Sequence, residues 1–544
     1  MFQSFTATSS PDQGPPRLAA LRTQLATMGL TGFWVPRADA HQGEYVAPRD
    51  ARLEWLTGFT GSAGFCLVLP HVAGVFIDGR YRLQVRSQVA LDHFTPVPWP
   101  ETKPGDWLRD QLPQGGVIGF DPWLHTRDEI DKLDKALQGS AITLKPASNP
   151  VDAIWQDQPA PPLGKVHRHP LDLAGESSAA KCARLADLLR QAGQKAAILT
   201  LPDSISWLLN IRGTDVPRNP VVHAFAILSD QGTLELFIDP AKLTPEARAH
   251  FDPTTTCHAP KDFTAALPLL QGPVRVDHAT APLAIGQILT ENGIELAWGD
   301  DPCILPKARK NAGELAGTRA AHLRDAAAMC EFLAWLDDEA PKGTLTEIAV
   351  AQALEGFRSA TNALRDISFD TISGAGPNAA IVHYRVTHAT DRPVRSGELL
   401  LVDSGGQYVD GTTDITRTLA IGPAGAEERA AFTRVLQGMI AISRARWPKG
   451  LAGRDLDALA RYHLWLAGQD YDHGTGHGVG AYLSVHEGPQ RLSRLSDVAL
   501  EPGMILSNEP GYYREGAFGI RIENLVVVEP AAALPAAQIG RAHV

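Results

Sequence analysis

The segment Glu398–Leu419, ELLLVDSGGQYVDGTTDITRTL, contains two apolar runs on either side of a glycine-rich turn. Runs of this kind predict two β-strands joined as a hairpin. Asp403 closes the first strand and Asp414 opens the second. Because side chains alternate along a strand, Asp414, Thr416 and Thr418 share one face. The hairpin can bring the two aspartates together, and adjacent carboxylates repel unless a cation or a proton lies between them.

Size and composition predict a globular protein with several domains. The chain has 544 residues, too many for one hydrophobic core, so about two to four domains are expected. Apolar content of 44% and charged content of 20% are ordinary for soluble proteins. The net charge of -11 argues against a nucleic-acid partner. No apolar run approaches the roughly 20 residues that span a bilayer, so no membrane partner is expected.

The N-terminal segment and the cysteines indicate the cellular compartment. Residues 1–16, MFQSFTATSSPDQGPP, lack the basic start and apolar core of a secretory signal, and we expect a frayed tail there. The five cysteines are scattered and odd in number, which favours buried thiols over disulfides or a CxxC metal site. A reducing compartment is implied, and a cytoplasmic location is expected.

The first two thirds of the chain repeat one order of elements. A helix near Arg17–Leu30 is followed by a strand, by ARLEWLTGFTG (51–61) and by the strands FCLVLP and VAGVFID (65–78). A helix near 183–192 is followed by AAILTLP, DSISWLLNIRG, AFAILS and TLELFID (196–239). This similarity predicts an internal duplication. It implies two successive α/β domains, 1–158 and 159–308, joined at the proline-rich QDQPAPPLG.

Neither copy shows a phosphate-binding loop or a nucleophile elbow. Their Trp, Phe and Leu residues are interpreted as core packing, and a further helix is expected near Arg80–Ala90. The polar loop Arg37–Tyr45 could instead face a partner domain or the substrate entrance.

The last third, residues 309–538, concentrates histidines, acids and glycines. Tyr471–Gln490, YDHGTGHGVGAYLSVHEGPQ, contains His473, His477 and His486. The glycines beside His477 allow close approach of the backbone.

A second acidic hairpin follows. In Met504–Val528, MILSNEPGYYREGAFGIRIENLVVV, Glu509 ends one predicted strand, Glu523 lies in the next and Arg521 shares its face. Each acid alone has an ordinary explanation, as a turn former or as a partner of Arg521. Together, two Asp, two Glu and one His at strand ends predict an oxygen-rich site suited to Mn, Co, Fe or Zn. Four carboxylates favour two ions, about 3.5–4 Å apart.

Long motifs in both parts of the chain resemble one family. DSGGQYVDGTTDITRT (403–418), HGTGHGVGAYLSVHEGP (473–489), NEPGYYREGAFGIRIEN (508–524) and RADAHQGEYVAPRDARLEWLTGFTGSAG (37–64) are similar to metallopeptidases of the pita-bread fold. Within them the chain resembles Xaa-Pro aminopeptidases (aminopeptidase P) of the long, multi-domain cytosolic type. The implied fold is α/β (α+β), with two creatinase-like N-terminal domains followed by a pita-bread catalytic domain over 309–538.

The resemblance implies a site for two divalent ions, most readily Mn²⁺, with Co²⁺ or Zn²⁺ as alternatives. The implied ligands are Asp403, Asp414, His477, Glu509 and Glu523, of which Asp414 and Glu523 bridge the ions.

The resemblance also implies roles around the metals. Glu509 would shuttle a proton to the leaving proline nitrogen. His383, His473 and His486 match substrate-binding positions, and His383 and His486 would also stabilise the tetrahedral intermediate. Arg521 is the implied partner of the carboxylates.

The implied reaction releases the first residue of peptides whose second residue is proline, by attack of a hydroxide that bridges two metal ions. The bond to proline is a tertiary amide without an N–H, so peptidases that bind that N–H fail there. Xaa-Pro peptides are the implied partners, and a homodimer is implied by the resemblance alone.

Other activities share the fold. A prolidase has the same metal site but cleaves only Xaa-Pro dipeptides, and the duplicated N-terminal domains favour the aminopeptidase. Methionine aminopeptidases typically lack this N-terminal half, and creatinases lack the metal. A catalytically inactive peptide-binding homologue is a further alternative, against which the intact ligand set argues.

The C-terminus departs from the resemblance, since long family members continue past the last strand. Ile539–Val544, IGRAHV, back-translates to ATCGGAAGAGCACACGTC, which resembles a sequencing-library adapter. We therefore expect these residues to be an artefact and the natural chain to be longer. An authentic stop codon after Val544 at the locus would contradict this expectation.

Overall fold

The computed structural model describes residues 1–532. The expected artefact at Ile539–Val544 lies outside this range. Every part of it contains both helices and strands, in agreement with the expected α/β (α+β) class. No helix of the described residues is both long and apolar enough to cross a membrane.

The first part of the chain folds around one mixed sheet of six strands. In chain order the strands are Gly32–Pro36, Phe65–Val68, Ala73–Ile77, Thr95–Pro98, Gly116–Phe120 and Ile142–Pro146. Across the sheet they run fourth, third, second, first, fifth and sixth. Adjacent side chains of the first strand enter opposite cores, with Phe33 and Val35 on one side and Trp34 on the other. Both faces are therefore covered, as a sheet with parallel strands requires.

Six helices surround this sheet: Gly14–Thr27, Arg52–Thr57, Gln84–Gln88, Pro104–Gln111, Arg127–Leu137 and Pro150–Ile154. The helix expected near Arg80–Ala90 is shorter than predicted. A 3-10 turn at Gly79–Tyr81 precedes a helix over Gln84–Gln88 only.

The second part repeats this architecture. Its strands are Ala196–Leu199, Phe225–Ser229, Leu234–Phe237, Thr255–His258, Val274–Val276 and Leu296–Trp298, and they run across the sheet in the same order as in the first. Its main helices are Ser178–Gln191, Pro202–Leu208, Pro245–His250 and Leu283–Glu291. The equal strand order confirms the duplicated plan, whereas the boundaries at 158/159 and 308/309 stay predictions.

The last part combines four longer helices with several small antiparallel sheets. The helices are Ala312–Glu339, Glu347–Ala360, Ala426–Ser443 and Gly453–Trp465. The strands nearest the acidic motifs are Ile372–Ala375, Glu398–Ser404, Ile415–Ile421, Gly476–Gly478, Glu487–Leu492, Ile505–Asn508, Phe518–Arg521 and Asn524–Val527. Asn311 begins the longest helix with a capping box. The Asn311 side chain accepts from the Glu314 N–H, and the Glu314 carboxylate accepts from the Asn311 N–H.

The N-terminal segment is not frayed, so that prediction was wrong. Gln3 exchanges hydrogen bonds with the backbone of Thr371, at 2.9 and 3.2 Å. Phe5 is 5% exposed and packs among apolar side chains of the last part of the chain, including Ile372 and Tyr384. Residues 1–10 have no periodic pattern because they form neither helix nor strand, and the partner of Gln3 lies 368 residues away.

Candidate metal centre and active site

The first two acids lie on paired strands. Glu398–Ser404 is antiparallel to Ile415–Ile421, with Asp403 opposite Thr416. Asp414 directly precedes the second strand, and both aspartates are buried. The predicted strand pair is therefore present. The residues between its strands, however, form part of a separate three-stranded sheet instead of a tight turn.

The second pair of acids occupies an equivalent position. Ile505–Asn508 is antiparallel to Asn524–Val527. Glu509 follows the first of these strands, and Glu523 lies directly before the second, one residue outside the strand in which it was expected. The Thr416 hydroxyl donates to Glu523 Oε2 at 2.7 Å, which ties the second pair to the first.

His477 presents one defined nitrogen to these acids. Its Nδ1–H donates to the Gly478 carbonyl at 2.9 Å, which leaves Nε2 facing the acids. Nε2 lies 3.3 Å from Glu509 Oε1 and 3.5 Å from Asp414 Oδ2. A side chain at Gly476 would place its Cβ 1.8 Å from the Ser507 carbonyl oxygen, so only glycine permits this approach.

The acids outnumber the nearby permanent positive charges. Ligand atoms of Asp414, His477 and Glu523 lie within 4.8 Å of one another. Burial, together with Asp414, Glu509 and Asp403, raises the pKa of Glu523 well above its usual value. Burial also raises the pKa values of Asp403 and Glu509. Such a cluster needs a cation or shared protons.

Two oxygens of the cluster have no partner within the described residues, although both are buried. They are Asp403 Oδ1 and Glu523 Oε1. Buried carboxylate oxygens are seldom left unpaired unless an ion binds them. The donor set, carboxylate oxygens with one imidazole, therefore fits hard or borderline divalent cations.

Arg521 occupies the expected place beside the acids. Its Nε and Nη2 donate to Asp403 Oδ2 at 3.1 and 2.6 Å, and its Nη1 donates to the Tyr513 hydroxyl at 2.7 Å. The Tyr513 hydroxyl also contacts His473 Nε2 at 2.8 Å, while His473 Nδ1–H donates to the Gly474 carbonyl. Burial lowers the pKa of His473 to about 3. Both nitrogens of this neutral ring are engaged, which leaves its carbon edge for contacts with a ligand.

The remaining two histidines are held by the first part of the chain. His486 Nδ1 contacts Glu44 Oε2 at 2.9 Å, and its ring centroid lies 4.3 Å from that of His477. His383 Nδ1 contacts the Tyr81 hydroxyl at 2.7 Å. Burial and the nearby Arg80 hold the pKa of His383 well below its ordinary value.

Sequence reasoning did not name Glu44, Ser62 or Tyr81 as site residues. The loop Arg37–Tyr45 faces another domain, as one of the two predicted alternatives states, because Glu44 contacts His486. The other alternative, that it faces the substrate entrance, stays a prediction. One comparison within the sequence could have indicated Tyr81. Both copies contain Phe-Ile-Asp at equivalent positions, but the first continues with Gly-Arg-Tyr and the second with Pro-Ala-Lys.

A close interdomain contact fixes the segment that carries Tyr81. Arg82 pairs with Asp472, at 3.3 Å, directly before His473. A Cβ added to Gly79 would lie 2.4 Å from the Cβ of Asp472. The backbone of the first domain thus meets the histidine-bearing loop of the last part at a position where only glycine fits.

Models of known families match three consecutive ranges of the chain. "Creatinase/Prolidase N-terminal domain" models match residues 17–154 and 157–314. The model "Metallopeptidase family M24" matches residues 316–530, the range that contains all five predicted ligands.

Individual relatives extend over nearly the whole chain. Relatives named "Probable Xaa-Pro aminopeptidase P" occur in Coccidioides posadasii (40% identity, 96% of this chain and 83% of the relative) and Talaromyces stipitatus (39%, 94% and 80%). A solved X-prolyl aminopeptidase of Caenorhabditis elegans, described as a cytosolic enzyme with a di-nuclear active site, superposes with a TM-score of 0.91. The two chains share 34% identity, over 97% of this chain and 89% of that one. The chain therefore belongs to the Xaa-Pro aminopeptidase P family of the M24 metallopeptidases.

Proposed function

We propose that this metal-dependent aminopeptidase releases the first residue from peptides with proline in the second position. The observation that carries the proposal is the group of carboxylates at Nε2 of His477, which lies 3.3 Å from Glu509 and 3.5 Å from Asp414, with Glu523 beside them. The names of its relatives support the same activity and favour it over a prolidase.

Five side chains would hold two divalent cations, for which we propose Mn²⁺. They are Asp403, Asp414, His477, Glu509 and Glu523, with Asp414 and Glu523 shared between the ions. The unpartnered oxygens of Asp403 and Glu523 support this assignment. When bound, such ions polarise a scissile carbonyl and make hydroxide available near neutral pH.

Glu509 is the proposed proton carrier. Its Oε1 accepts from the Ser507 hydroxyl at 2.9 Å, which orients the carboxylate. A carboxylate held beside the scissile bond can act first as a general base and then as a general acid. Glu509 would take the proton of the attacking water and deliver it to the proline nitrogen, which needs one because it leaves as an amine.

The histidines around the acids are the proposed substrate contacts. His383 and His486 would hold the peptide on either side of the scissile bond. His473, with both nitrogens occupied, would pack its ring edge against the proline. Proline offers no N–H, so shape and apolar contact must recognise it.

A homodimer and a cytoplasmic location are proposed as well. Apolar side chains are exposed along one face of the helix Gly453–Trp465 and just beyond it: Leu459, Tyr462, Trp465 and Leu466. A contiguous exposed apolar face favours association. We expect light scattering to report a dimer that Leu466→Glu converts to monomer. The five free cysteines favour a reducing compartment.

The direct test compares three substrates with Mn²⁺ present: an Xaa-Pro-Pro tripeptide, an Xaa-Pro dipeptide and a Met-Ala-Ser peptide. We expect cleavage of the first bond of the tripeptide, loss of activity after chelation with EDTA, and recovery when Mn²⁺ is restored. Glu509→Gln should abolish cleavage. Glu515→Gln, an exposed acid in the same segment, is the matched control and should not.

Cleavage of the dipeptide alone would move the assignment to prolidase. A folded, metal-loaded chain that cleaves none of the three peptides would favour the inactive peptide-binding homologue.

A further inference from the structure

We propose that Ser62 and Tyr81 of the first domain are positioning residues that hold the proton of His383 on Nδ1. His383 then presents Nε2 to the peptide as a hydrogen-bond acceptor. The proposal deepens the proposed function and rests on it in one respect, namely that His383 faces the substrate.

Three contacts connect His383 through Tyr81 and Ser62 to Glu44, and we call them the relay. Glu44 is its last acceptor. The Ser62 hydroxyl lies 2.8 Å from Glu44 Oε1 and 2.8 Å from the Tyr81 hydroxyl, which lies 2.7 Å from His383 Nδ1. The Ser62 N–H also donates to the Tyr81 oxygen, at 3.1 Å. All four groups are separated from their partners by ordinary hydrogen-bond lengths.

Counting protons gives these contacts one direction. An ionised carboxylate only accepts, so the single hydroxyl proton of Ser62 points to Glu44. The proton between Ser62 and Tyr81 must then come from Tyr81. Tyr81 has no second proton, so the contact with His383 is a hydrogen bond only if Nδ1–H donates it.

The opposite direction leaves one contact without a proton. If Tyr81 donated to Nδ1, its oxygen and that of Ser62 would face each other at 2.8 Å with the Ser62 proton already used by Glu44. Two lone pairs at that distance repel, and a buried contact of this kind is costly. The geometry therefore selects the Nδ1–H tautomer.

The tautomer decides what His383 can bind. A neutral ring protonated on Nδ1 accepts at Nε2 and cannot donate there, so it cannot stabilise an oxyanion as the family resemblance implies. In a peptide with proline second, the backbone N–H beyond the scissile bond belongs to the third residue. A dipeptide carries a carboxylate there instead, which only accepts. The relay thus favours peptides of three or more residues.

The first test observes the ring directly. In protein labelled with ¹⁵N-histidine, long-range ¹H–¹⁵N correlation identifies which nitrogen of His383 bears the proton, with His383→Gln for assignment. We expect protonated Nδ1 and bare Nε2 both in the metal-free protein and in protein loaded with diamagnetic Zn²⁺. Tyr81→Phe and Ser62→Ala should each shift the proton towards Nε2, whereas Ser62→Thr should not. Nε2–H in the parent protein would overturn the proposal.

The second test is kinetic. Tyr81→Phe and Ser62→Ala should lower kcat/KM for an Xaa-Pro-Pro peptide about 10-fold, mostly through KM, and lower it less for the Xaa-Pro dipeptide. Ser62→Thr should restore the parent values. Tyr408→Phe is the matched control, because it removes a buried hydroxyl that bonds Asp325 at 2.7 Å and contacts neither histidine.

The outcomes separate this proposal from the proposed function. Equal losses for both peptides, or values within twofold of the parent, would refute the relay even if the parent cleaves Xaa-Pro bonds. An inactive parent with protonated Nδ1 would refute the proposed activity and leave the tautomer assignment intact. If Tyr81→Phe fails to fold, Ser62→Ala and Ser62→Thr decide the question.

Discussion

Replacing Asp414 by Asn should have opposite effects on the metal-free and the metal-loaded protein. Without metal, the substitution removes one of four clustered carboxylates, whose repulsion contributes to the raised pKa of Glu523, and it also removes the acid 3.5 Å from His477 Nε2. With metal, it removes a ligand atom that lies within 4.8 Å of those of His477 and Glu523. We expect Asp414→Asn to stabilise the apoprotein and to abolish most of the stabilisation by Mn²⁺.

The magnitude follows from linkage. A cation at a hundred times its Kd stabilises the native state by about 2.7 kcal/mol. The metallopeptidase region, matched over residues 316–530, falls in a size class where each kcal/mol raises Tm by about 2–4 °C. One ion should therefore raise its Tm by about 5–11 °C. Two unit charges 4 Å apart repel by about 4 kcal/mol at an effective dielectric constant of 20. The lost contact with His477 offsets most of this relief, and a net gain of about 1 kcal/mol would raise the apoprotein Tm by about 2–4 °C.

Differential scanning calorimetry of EDTA-treated protein, with and without Mn²⁺, measures both effects. Asp410→Asn is the matched control, because Asp410 lies between the same two strands but pairs with Arg324 at 2.8 Å. It should leave the metal-induced shift intact. A full Mn²⁺ shift in Asp414→Asn, or no shift in the parent protein, would refute the metal assignment.

Three further predictions concern the surroundings of the site. Gly79→Ala should push its segment away from Asp472 and lower kcat/KM at least fivefold, with unchanged Mn²⁺ affinity. Gly356→Ala is the control and should leave kcat/KM unchanged, because Gly356 has open space around it. Equal activities of the two variants would contradict the contact between Gly79 and Asp472. Phe5→Ala should reduce the free energy of unfolding in urea by about 3 kcal/mol, and an unchanged midpoint would mean that the N-terminal segment does not pack as described. Burial lowers the pKa of His169 to about 2, so this histidine stays neutral in the native state, whereas in the unfolded chain it becomes protonated near pH 6.5. The free energy of unfolding should therefore fall as pH drops below 6.5, by up to about 1.4 kcal/mol per pH unit from this residue. In urea titrations His169→Gln should make this decrease less steep. An equal slope in the variant and the parent protein would refute the role of His169.

The predictable part of the site is the part encoded by local pattern. Asp403 and Asp414 flank apolar runs with strand periodicity, so their pairing followed from the alternation of side chains. Glu509 and Glu523 followed in the same way, with an error of one residue for Glu523. The repeated order of elements likewise predicted an internal duplication, and the two sheets have the same strand order.

The contacts that sequence reasoning missed join residues far apart in the chain. Tyr81 and His383 are 302 positions apart, and Glu44 and His486 are 442 apart. No periodicity links such pairs, since they depend on how whole domains pack. The N-terminal segment was misjudged for the same reason. Phe5 is buried against side chains that lie more than 300 residues further along the chain. The local sequence does not show this contact and suggested a frayed tail.

Because the two copies differ after Phe-Ile-Asp, the chain cannot be shortened to its last part without losing contacts to the histidines there. The first copy continues to Tyr81, which contacts His383, and the second ends its motif with Lys242, which forms a buried ion pair with Asp215. Expression of residues 309–532 alone would yield a protein with all five proposed metal ligands but without Glu44, Ser62 and Tyr81. Any reduced version intended for engineering must therefore retain the first domain, even though every proposed metal ligand lies in the last.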